Sequence, residues 1–590
     1  MKQVAIISII FLSAVACRRA QQTETKGTQN FSALLGQYYE DRLKLYPLEA
    51  TAAGDDRYND LLPNNGSARF LKDEHDFYQK YLDQLNAYQR EHLSPGDQLS
   101  YDILKDALEL GLASQKHHFE YLPFDQMNSL PLMIGQMGSG EGMQPFKTEK
   151  DYDNWLKRIS AFSVWADTAI ANFQKGVQKG IVLPKALVVK MIPQMQSMIV
   201  KEPQKSLFYG PINKMPKSFS EPTKNRLVEA YCNAIQTEVV PTYKKLGDYL
   251  EREYLPKARS TSGYSALPEG KKMYTFLVKQ QTTTTKSPEE IYQIGLKEVA
   301  RIGTLMDSVK KQVGFKGDMK AFFDYMKTDK KFMPYKKPKE VLDAFEAIHI
   351  KMEPNLKKMF NQVPKTPFEI RQTEAFRAAT ASAEYNQGSA DGSRPGIFYV
   401  PILDAKTFNV TSGMESLFLH EAIPGHHYQI SLQQENTALP RFRRFCTHNA
   451  YVEGWALYCE SLGKELGLYT DPYQYMGALG DEMHRAVRLV VDVAIHTKGM
   501  TREQAIKYMM DHEAISEQGA TAEIERYMAI PAQALGYKMG SMKIQELRKR
   551  CQERLQARFQ LASFHDQILK DGSMPLSILE RKIDTWAAAQ

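Results

Sequence analysis

The stretch LFLHEAIPGHHYQ, residues 417–429, constrains the fold most, because it places four ionisable side chains within eight residues behind an apolar run. Zinc hydrolases commonly set two histidines one helical turn apart, with a Glu after the first histidine as general base. In this chain Pro424 stands where the second histidine of that pattern belongs. The stretch therefore predicts a zinc-hydrolase centre on a helix whose regularity is interrupted.

Helical geometry limits which histidine can join His420 on one metal ion. On an unbroken helix His427 would share the face of His420 but stand about two turns, roughly 10 Å, further along the axis. His426 would point about 240° around the helix from His420. Since Pro removes an amide donor and Gly accepts unusual dihedrals, we expect residues 422–425 to form a bulge that brings His426 into the second ligand position. His427 is the alternative.

The segment AYVEGWALYCES, residues 450–461, supplies the third predicted ligand. Glu453 lies twenty-seven residues beyond His426, within the range expected when a second helix returns a carboxylate to the metal. Its neighbours are apolar and Gly454 would let another backbone approach, so we expect a buried carboxylate that needs a partner such as a metal. Glu460, seven residues later on roughly the same face, is the alternative ligand or a residue that holds one.

These motifs resemble the bacterial family called domain of unknown function 885, whose form of the zinc motif is HE-x-x-PGHH. Other segments resemble the same family, from LYPLEATAAGDDRYND near the start to EIERYMAIPAQALGYKMG near the end. The resemblance implies a mainly α-helical, channel-type zinc metallopeptidase-like fold with one zinc ion per chain. It also implies Glu453 as the third ligand, and it leaves peptide specificity open.

The first seventeen residues have the features of an export signal. An apolar run from Val4 to Ala16, thirteen residues long, is too short to cross a bilayer as a helix. The small residues before Cys17 predict cleavage and lipidation at that cysteine, with an ordinary secretory signal as the alternative. We therefore expect residues 1–17 to be a signal peptide and residues 18–30 a polar tether, which places the protein on a membrane in the periplasm or cell envelope.

Composition excludes two other classes of protein. Five cysteines in 590 residues are too few for a disulfide scaffold, and none shows the close Cys-x-x-Cys spacing of a zinc ribbon. The net charge of +7 is small beside 76 basic and 69 acidic residues and is spread along the chain, so no nucleic-acid partner is expected. The sequence leaves the oligomeric state open.

Apolar and aromatic residues recur at three- and four-residue spacing from Phe31 onward, which predicts α-helices. Residues 122–146 carry no such period and predict a long irregular loop. Around 256–290 the composition changes, which predicts an N-terminal helical half, residues 31–260, and a catalytic helical half, residues 261–590. Ser287 before a Pro-Glu-Glu run predicts a helix start there.

A small strand is predicted just before the zinc motif, in GSRPGIFYVPIL, where Ile397 to Val400 are strand formers. In metallopeptidases of this general kind a strand beside the active-site helix binds the substrate backbone by strand addition, and we expect this segment to do so. Arg394 could then hold a substrate carboxylate, or it could cap a surface turn.

Two later segments supply candidate donors to the oxyanion that amide hydrolysis forms. One sets four ionisable residues at spacings of four on one helical face, which predicts either a channel lining or a salt-bridged stripe in which the second and third pair: His484, Arg488, Asp492 and His496. The other segment contributes Arg526, Tyr527 and Tyr537. Tyr527 is the first candidate for the catalytic donor.

The sequence thus predicts an exported zinc metallopeptidase acting on short peptides. The expected roles are zinc ligation by His420, His426 and Glu453, general base catalysis by Glu421, oxyanion stabilisation by Tyr527, and substrate binding by Arg394, His427 and Arg488. A zinc amidase acting on cell-wall peptides is the alternative enzyme. A peptide-binding lipoprotein without catalysis, or a structural metal with His427 as fourth ligand, is the other alternative, although a binder would not need the general base.

Overall fold

The computed structural model describes residues 30–374, 382–389, 392 and 394–590. The predicted signal peptide, Cys17 and residues 18–29 of the predicted tether lie outside these ranges. Within them, none of the helices has the length and hydropathy that crossing a membrane requires. The described chain forms two compact units.

Unit 1 consists of residues 30–182, Val188–Lys257 and Pro440–Arg443. Up to Lys257 its helices are, in chain order, α1 (30–45), α2 (Pro47–Ala52), α3 (Ala68–Asn86), α4 (Pro95–Ser114), α5 (Leu130–Gly138), α6 (Glu149–Lys179), α7 (Lys185–Gln196), α8 (Gly210–Asn213), α9 (Glu221–Ala234) and α10 (Val240–Tyr249). The first residues of α7, as far as Leu187, are counted in unit 2. Two π-helical turns, Ile235–Val239 and Leu250–Tyr254, follow α9 and α10.

Helix α5 lies in the segment 122–146, so the prediction of an irregular loop throughout is wrong there. Ser129 caps this helix, since its hydroxyl oxygen accepts a hydrogen bond from the Leu132 amide at 3.3 Å, and Pro131 occupies the first turn. The sequence LPLMIGQMG is apolar at almost every position. A helix of that kind shows no amphipathic period, which is why the periodicity did not reveal it.

Unit 2 consists of Leu183–Leu187, Ala258–Leu439 and Arg444–Gln590, and it contains the zinc motif. Its helices begin with α11 (Gly270–Thr282), α12 (Pro288–Gln312), α13 (Met319–Thr328), α14 (Pro338–Met359), α15 (Met414–Glu421) and α16 (His426–Glu435). The short α17 (Arg441–Arg444) is counted in unit 1 except for Arg444. After it, unit 2 continues with α18 (Asn449–Ser461), α19 (Pro472–Lys498), α20 (Arg502–His512), α21 (Glu517–Ala529), α22 (Leu535–Leu555), α23 (Leu561–Leu569) and α24 (Leu576–Ala589). The predicted mainly α-helical fold is therefore confirmed.

The predicted start of α12 is also confirmed. The Ser287 hydroxyl oxygen accepts a hydrogen bond from the Glu290 amide at 3.3 Å, and the Glu290 carboxylate accepts one from the Ser287 amide at 2.8 Å. Helix α12 packs along α19 in the core of unit 2, where Gly295 lets the two backbones approach: a Cβ there would lie 2.8 Å from Cβ of Leu489. The core of unit 2 thus includes the helix that carries the ionisable stripe.

A small sheet precedes the zinc motif, as the strand-forming residues predict. Its strands are β1 (Phe368–Gln372), β2 (Glu384–Asn386) and β3 (Gly396–Val400), in the order β1-β3-β2. Strand β3 pairs parallel with β1 and antiparallel with β2. Because β3 has a neighbour on each side, the predicted segment is the centre of the sheet.

Helices α18 and α22 cross at two facing glycines. A Cβ on Gly454 of α18 would lie 2.5 Å from the Cα of Gly540 of α22, and a Cβ on Gly540 would collide with the carbonyl of Ala450. Only glycine leaves room for backbones this close. The expectation that Gly454 permits a close backbone approach is met, and this crossing fixes the part of α18 that carries Glu453.

Candidate metal centre

The zinc motif is divided between two separate helices. Helix α15 ends at Glu421 and α16 begins at His426, and the Ile423–Pro424 peptide bond between them is cis. A Cβ on Gly425 would collide with the carbonyl oxygens of Leu419 and His420, so only glycine fits at the turn. The predicted interruption therefore lies at residues 422–425, but it is a complete break between two helices rather than a bulge of two extra residues.

The break brings His420 and His426 together. Their ring centroids are 4.9 Å apart, and the ring planes meet at 88°. Glu453 Oε2 lies 3.6 Å from His420 Nε2 and 3.7 Å from His426 Nε2. Ligand atoms at about 2.0–2.2 Å from one tetrahedral zinc ion stand roughly 3.4 Å apart, so these three side chains fit a zinc ion with little movement.

Glu421 also belongs to this cluster. One atom from each of His420, Glu421 and His426 lies within 4.8 Å of the others. Glu453 is nevertheless better placed as the carboxylate ligand, because a single oxygen faces the Nε2 atoms of both histidines. The Glu421 Oε2 atom instead accepts a hydrogen bond from the backbone amide of Tyr385 in β2, at 3.0 Å. Burial raises the pKa of Glu421 to about 7.

Glu460 holds the other nitrogen of His420. Its Oε1 lies 2.6 Å from His420 Nδ1, and the carboxylate is 5% exposed. A carboxylate on Nδ1 fixes the ring orientation and leaves Nε2 directed at the metal position. Glu453 and Glu460, two turns apart on α18, therefore approach His420 from opposite sides of the ring, with Glu453 at Nε2 and Glu460 at Nδ1.

The ionisation of the three candidate ligand side chains, His420, His426 and Glu453, follows from their contacts. Burial opposes a charge on His420, but hydrogen bonding to Glu453 and Glu460 outweighs burial and raises the pKa of His420 well above its usual value. Burial likewise opposes ionisation of Glu453, yet hydrogen bonding to His420 and the charges of the two histidines lower its pKa to about 2. Burial lowers the pKa of His426 to about 4. A metal ion bound here would take the place of the positive charge on His420 as the partner of the Glu453 carboxylate.

Helix α18 is hydrogen-bonded to the segment that separates α15 from α16. The indole Nε1 of Trp455 donates a hydrogen bond to the carbonyl of Pro424 at 2.9 Å, and Trp455 is fully buried. Together with the glycine crossing of α18 and α22, this contact sets the distance between Glu453 and the two histidines. The geometry of the centre thus depends on contacts among α15, α16, α18 and α22.

His427 points away from this centre. Its Nδ1 lies 3.0 Å from the hydroxyl of Tyr385 and 3.4 Å from that of Ser431, and its ring packs 5.0 Å from that of Phe368. Burial lowers its pKa to about 4. The structure therefore brings His426, and not His427, beside His420 and Glu453.

The ring that stacks on His420 is that of Tyr537, with centroids 6.5 Å apart and planes at 14°. Hydrogen bonding from Tyr537 contributes to the lowered pKa of Glu453. The contacts of Tyr527 are with other residues: its hydroxyl donates to Glu523 at 2.5 Å and accepts from Arg488 Nε at 2.9 Å. Arg488 contacts both tyrosines, because its guanidinium also lies 4.7 Å from the centroid of the Tyr537 ring.

The other residues of the ionisable stripe on α19 bind neighbouring helices. His484 lies 2.6 Å from Glu513, and the Asp492 carboxylate accepts from the Tyr274 hydroxyl at 2.6 Å and from the Ala532 amide at 3.1 Å. His496 Nδ1 accepts from the Tyr264 amide at 3.1 Å. Arg488 and Asp492 each have partners outside α19, so the stripe is a set of contacts between helices rather than a ladder of pairs along one helix.

Strand β3 does not offer an edge to a substrate, so the expected strand addition at this segment is wrong. Both of its edges are occupied, and β2 is the strand that faces Glu421 through the Tyr385 amide. Arg394 is exposed just before β3, and its backbone amide donates to the Ser389 hydroxyl at 2.9 Å. Tyr385 was missed by the sequence analysis, since it lies thirty-five residues before His420 with no motif around it.

Two solved structures are similar in fold to this chain. A crystal structure from Colwellia psychrerythraea, described as a candidate lipoprotein, is 29% identical with a TM-score of 0.87, over 96% of this chain and 100% of that one. A structure from Shewanella oneidensis, described as a candidate lipoprotein of unknown function, is 18% identical with a TM-score of 0.74, over 93% of this chain and 99% of that one. No curated protein matches.

A family model described as a bacterial protein of unknown function (DUF885) matches residues 47–583. The match spans both units and includes the split zinc motif, β1–β3 and the helices that carry Glu453 and Tyr537. It agrees with the resemblance of the individual sequence segments. The chain therefore belongs to the bacterial DUF885 family.

Proposed function

We propose that this chain is an exported, zinc-dependent metallopeptidase that hydrolyses short peptides. The observation that carries the proposal is the convergence of Glu453 Oε2 on the Nε2 atoms of His420 and His426, with Glu421 beside them. Two imidazoles and one carboxylate would hold one zinc ion and leave a coordination position open, as catalytic zinc sites require.

The residues around the ion divide the work of hydrolysis. Bound zinc would supply Lewis acidity toward the scissile carbonyl and the attacking water. Glu421 accepts the proton of that water and passes it to the departing amine. The Tyr385 amide occupies one oxygen of Glu421, so the carboxylate keeps a fixed orientation and its other oxygen is available for the proton.

We assign oxyanion stabilisation to Tyr537 ahead of Tyr527. Tyr537 stacks on His420 and is half-buried beside Glu453, whereas the Tyr527 hydroxyl is already engaged by Glu523 and Arg488. A donor that helps an oxyanion must reach the atom on which charge develops. In this arrangement Tyr527 supports Arg488, and Arg488 supports the Tyr537 ring.

Two arginines are proposed to bind substrate. Arg488 Nη1 is buried and makes no hydrogen bond within the part of the chain that the structure describes, while its other nitrogens are engaged. A substrate carboxylate would satisfy that donor. Arg394 is exposed at the start of β3, and we propose that it holds a substrate carboxylate from the solvent side.

Export and anchoring complete the proposal. The apolar run before Cys17 fits a lipoprotein signal, and the similar Colwellia psychrerythraea structure is described as a candidate lipoprotein. We propose that the chain is anchored by lipid at Cys17 and that residues 18–30 form the tether. The proposed domain organisation is a helical half at 31–260 and a catalytic half at 261–590.

The first test is metal content, measured by elemental mass spectrometry on protein purified without chelator or affinity-tag histidines. We expect about one zinc per chain, with loss of zinc in His420→Ala. A peptide library containing cell-wall peptides is then offered to wild type and to Glu421→Gln. The variant should keep its zinc and lose turnover by about 10²–10⁴-fold, because the general base is absent.

The outcomes separate the candidate functions. Turnover confined to cell-wall peptides would favour the zinc amidase over the general peptidase. Protein that binds peptides but hydrolyses none, with wild type and Glu421→Gln indistinguishable, would contradict the enzyme and favour a binding lipoprotein. A purely structural metal with His427 as fourth ligand is disfavoured by the contacts of His427 with Tyr385 and Ser431. Protein that contains no zinc and binds none when zinc is added would contradict the proposal of a metallopeptidase.

A further inference from the structure

We propose that His427 is a positioning residue, which holds strand β2 against Glu421 by binding the hydroxyl of Tyr385. The inference rests on the proposed function, in which Glu421 is the general base. It gives the second histidine of the His-His pair a role distinct from zinc ligation and from substrate binding.

Tyr385 links the two side chains through its two ends. Its backbone amide donates to Glu421 Oε2 at 3.0 Å, and its hydroxyl lies 3.0 Å from His427 Nδ1. The ring of Tyr385 therefore spans the distance between the C-terminal end of α15 and the first turn of α16. Both helix ends belong to the split zinc motif, so β2 is attached to the motif on each side of the break.

The neighbouring strand leaves room for this contact. A Cβ on Gly396, the first residue of β3, would collide with the Tyr385 hydroxyl and lie 2.8 Å from His427 Nδ1. Any residue other than glycine would push the hydroxyl and the imidazole apart. Gly396 is thus part of the same arrangement, which we call the Tyr385 clamp: Tyr385, His427 and Gly396.

Helical geometry explains why two adjacent histidines separate their roles. Successive residues on α16 point about 100° apart around the helix axis. With His426 directed at Glu453, His427 is directed at β2 and at the Phe368 ring of β1. His427 is 3% exposed, so its orientation is set by packing rather than by solvent.

The clamp matters because β2 is short and lies at an edge. It has three residues and, within the described chain, pairs only with β3. A strand of that length is weakly held by its own ladder. The contact with His427 supplies a second attachment, which keeps the Tyr385 amide on Glu421 and so keeps the carboxylate in one orientation.

The test uses the full-length, detergent-extracted protein carrying His427→Phe, Tyr385→Phe, Gly396→Ala, or the first two changes together. Tyr428→Phe is the matched control, since Tyr428 is the next residue of α16, is buried as a whole, and has a hydroxyl that makes no hydrogen bond among the described residues. We measure zinc content, kcat and KM on the best library peptide, and hydrogen exchange of the peptide covering residues 382–389.

The clamp predicts that each single variant keeps about one zinc, exchanges the Tyr385 amide faster, and loses about tenfold in kcat with KM within about twofold. The double variant should lose no more than either single one, because the two groups act as a unit. Tyr428→Phe should match wild type in all three measurements.

Three results would overturn the clamp. Loss of zinc in His427→Phe alone would make His427 a ligand. Unchanged amide exchange with unchanged kcat in both His427→Phe and Tyr385→Phe would remove the clamp. Losses that add in the double variant would make the two residues independent. If wild type hydrolyses no peptide, the proposed function fails, while the exchange of the Tyr385 amide still decides whether the clamp exists.

Discussion

At the scale of single residues, the centre is organised by carboxylates on both sides of one imidazole. Glu453 faces Nε2 of His420 and Glu460 holds Nδ1, from positions two turns apart on α18. The sequence places these two glutamates on roughly one helical face, but it does not say which one lies at which nitrogen. The tertiary structure makes that distinction, because it places the His420 ring with Nε2 toward Glu453 and Nδ1 toward Glu460.

Changing Glu460 to Gln should weaken zinc binding by about 10–100-fold, because a neutral amide orients and polarises the His420 ring less well than a carboxylate does. The change keeps the size of the side chain, so the fold should persist. The measurement is competition for zinc with a chelator of known affinity.

Glu465→Gln is the matched control for that experiment. Glu465 lies five residues further along the chain, is 44% exposed and pairs with Arg548 at 2.7 Å. Exposed pairs of this kind contribute little to stability. Equal zinc affinity in the two variants would contradict the role given to Glu460.

At the scale of elements, a close helix crossing positions the proposed ligand on α18. Gly454 and Gly540 let α18 and α22 approach at the level of Glu453, and the same α22 carries Tyr537. One crossing therefore sets the position of a proposed ligand and of the candidate oxyanion donor together. Glycine in the middle of a helix is otherwise unfavourable, so these positions are tolerated for the space that they leave.

Gly454→Ala should lower the free energy of unfolding by about 1–3 kcal/mol, because the added methyl group meets the backbone of Gly540. It should also reduce zinc occupancy by displacing Glu453. Calorimetry of the zinc-free and zinc-loaded protein gives both quantities.

The control for this substitution is Gly480→Ala in α19, where a Cβ would meet no atom within 4 Å. Alanine there should raise the free energy of unfolding by about 0.5–1 kcal/mol, through its higher helix propensity alone. A Gly454→Ala protein as stable as Gly480→Ala would contradict the close crossing.

A pH-dependent contact joins α19 to two other elements. Asp492 is fully buried and accepts hydrogen bonds from Tyr274 of α11 and from the amide of Ala532 before α22. Burial raises the pKa of Asp492 to about 7, from an ordinary value near 3.8. The folded protein therefore binds this proton more tightly than the unfolded chain, and the contribution to stability is lost as the pH rises from about 4 to 7.

Asp492→Asn should reduce the fall in the free energy of unfolding between about pH 4 and pH 7, since the amide does not titrate. Denaturant unfolding at several pH values between 4 and 8 measures the slope, and the exposed Asp511→Asn is the control. A slope unchanged by Asp492→Asn would assign the pH dependence to other groups.

At the scale of the whole molecule, the proposed catalytic residues lie in unit 2, while the proposed anchor precedes most of unit 1 in the chain. Hydrolysis and attachment are therefore separable by substitution. A tether at the N-terminus restricts where the protein acts without entering the chemistry of the zinc centre.

Cys17→Ser should move the protein from the membrane fraction to the soluble exported fraction, because the lipid attachment site is lost. Zinc content and peptide turnover should stay within about twofold of wild type, since no residue of the centre changes. Fractionation of cells and mass spectrometry of the N-terminal peptide measure the result. Membrane association that survives the substitution would contradict lipid anchoring at Cys17.

Several features of the fold and the site follow from local sequence. Ser287 and Glu290 start α12 as their capping pattern predicts, and Ile397 to Val400 form a strand as β-branched and aromatic residues predict. Helix α5 escaped prediction because an apolar sequence without a period does not distinguish a buried helix from a loop.

What the sequence by itself determined is the chemistry of the site: the Glu beside His420, the Pro-Gly interruption, and a carboxylate-bearing helix a few tens of residues later. These are local properties, because backbone dihedrals and ligand chemistry depend on adjacent residues. Only the tertiary structure decided that His426 meets Glu453, that His427 meets Tyr385, and that β3 is central. Those outcomes depend on how separate elements pack, and no local pattern contains the distances between them.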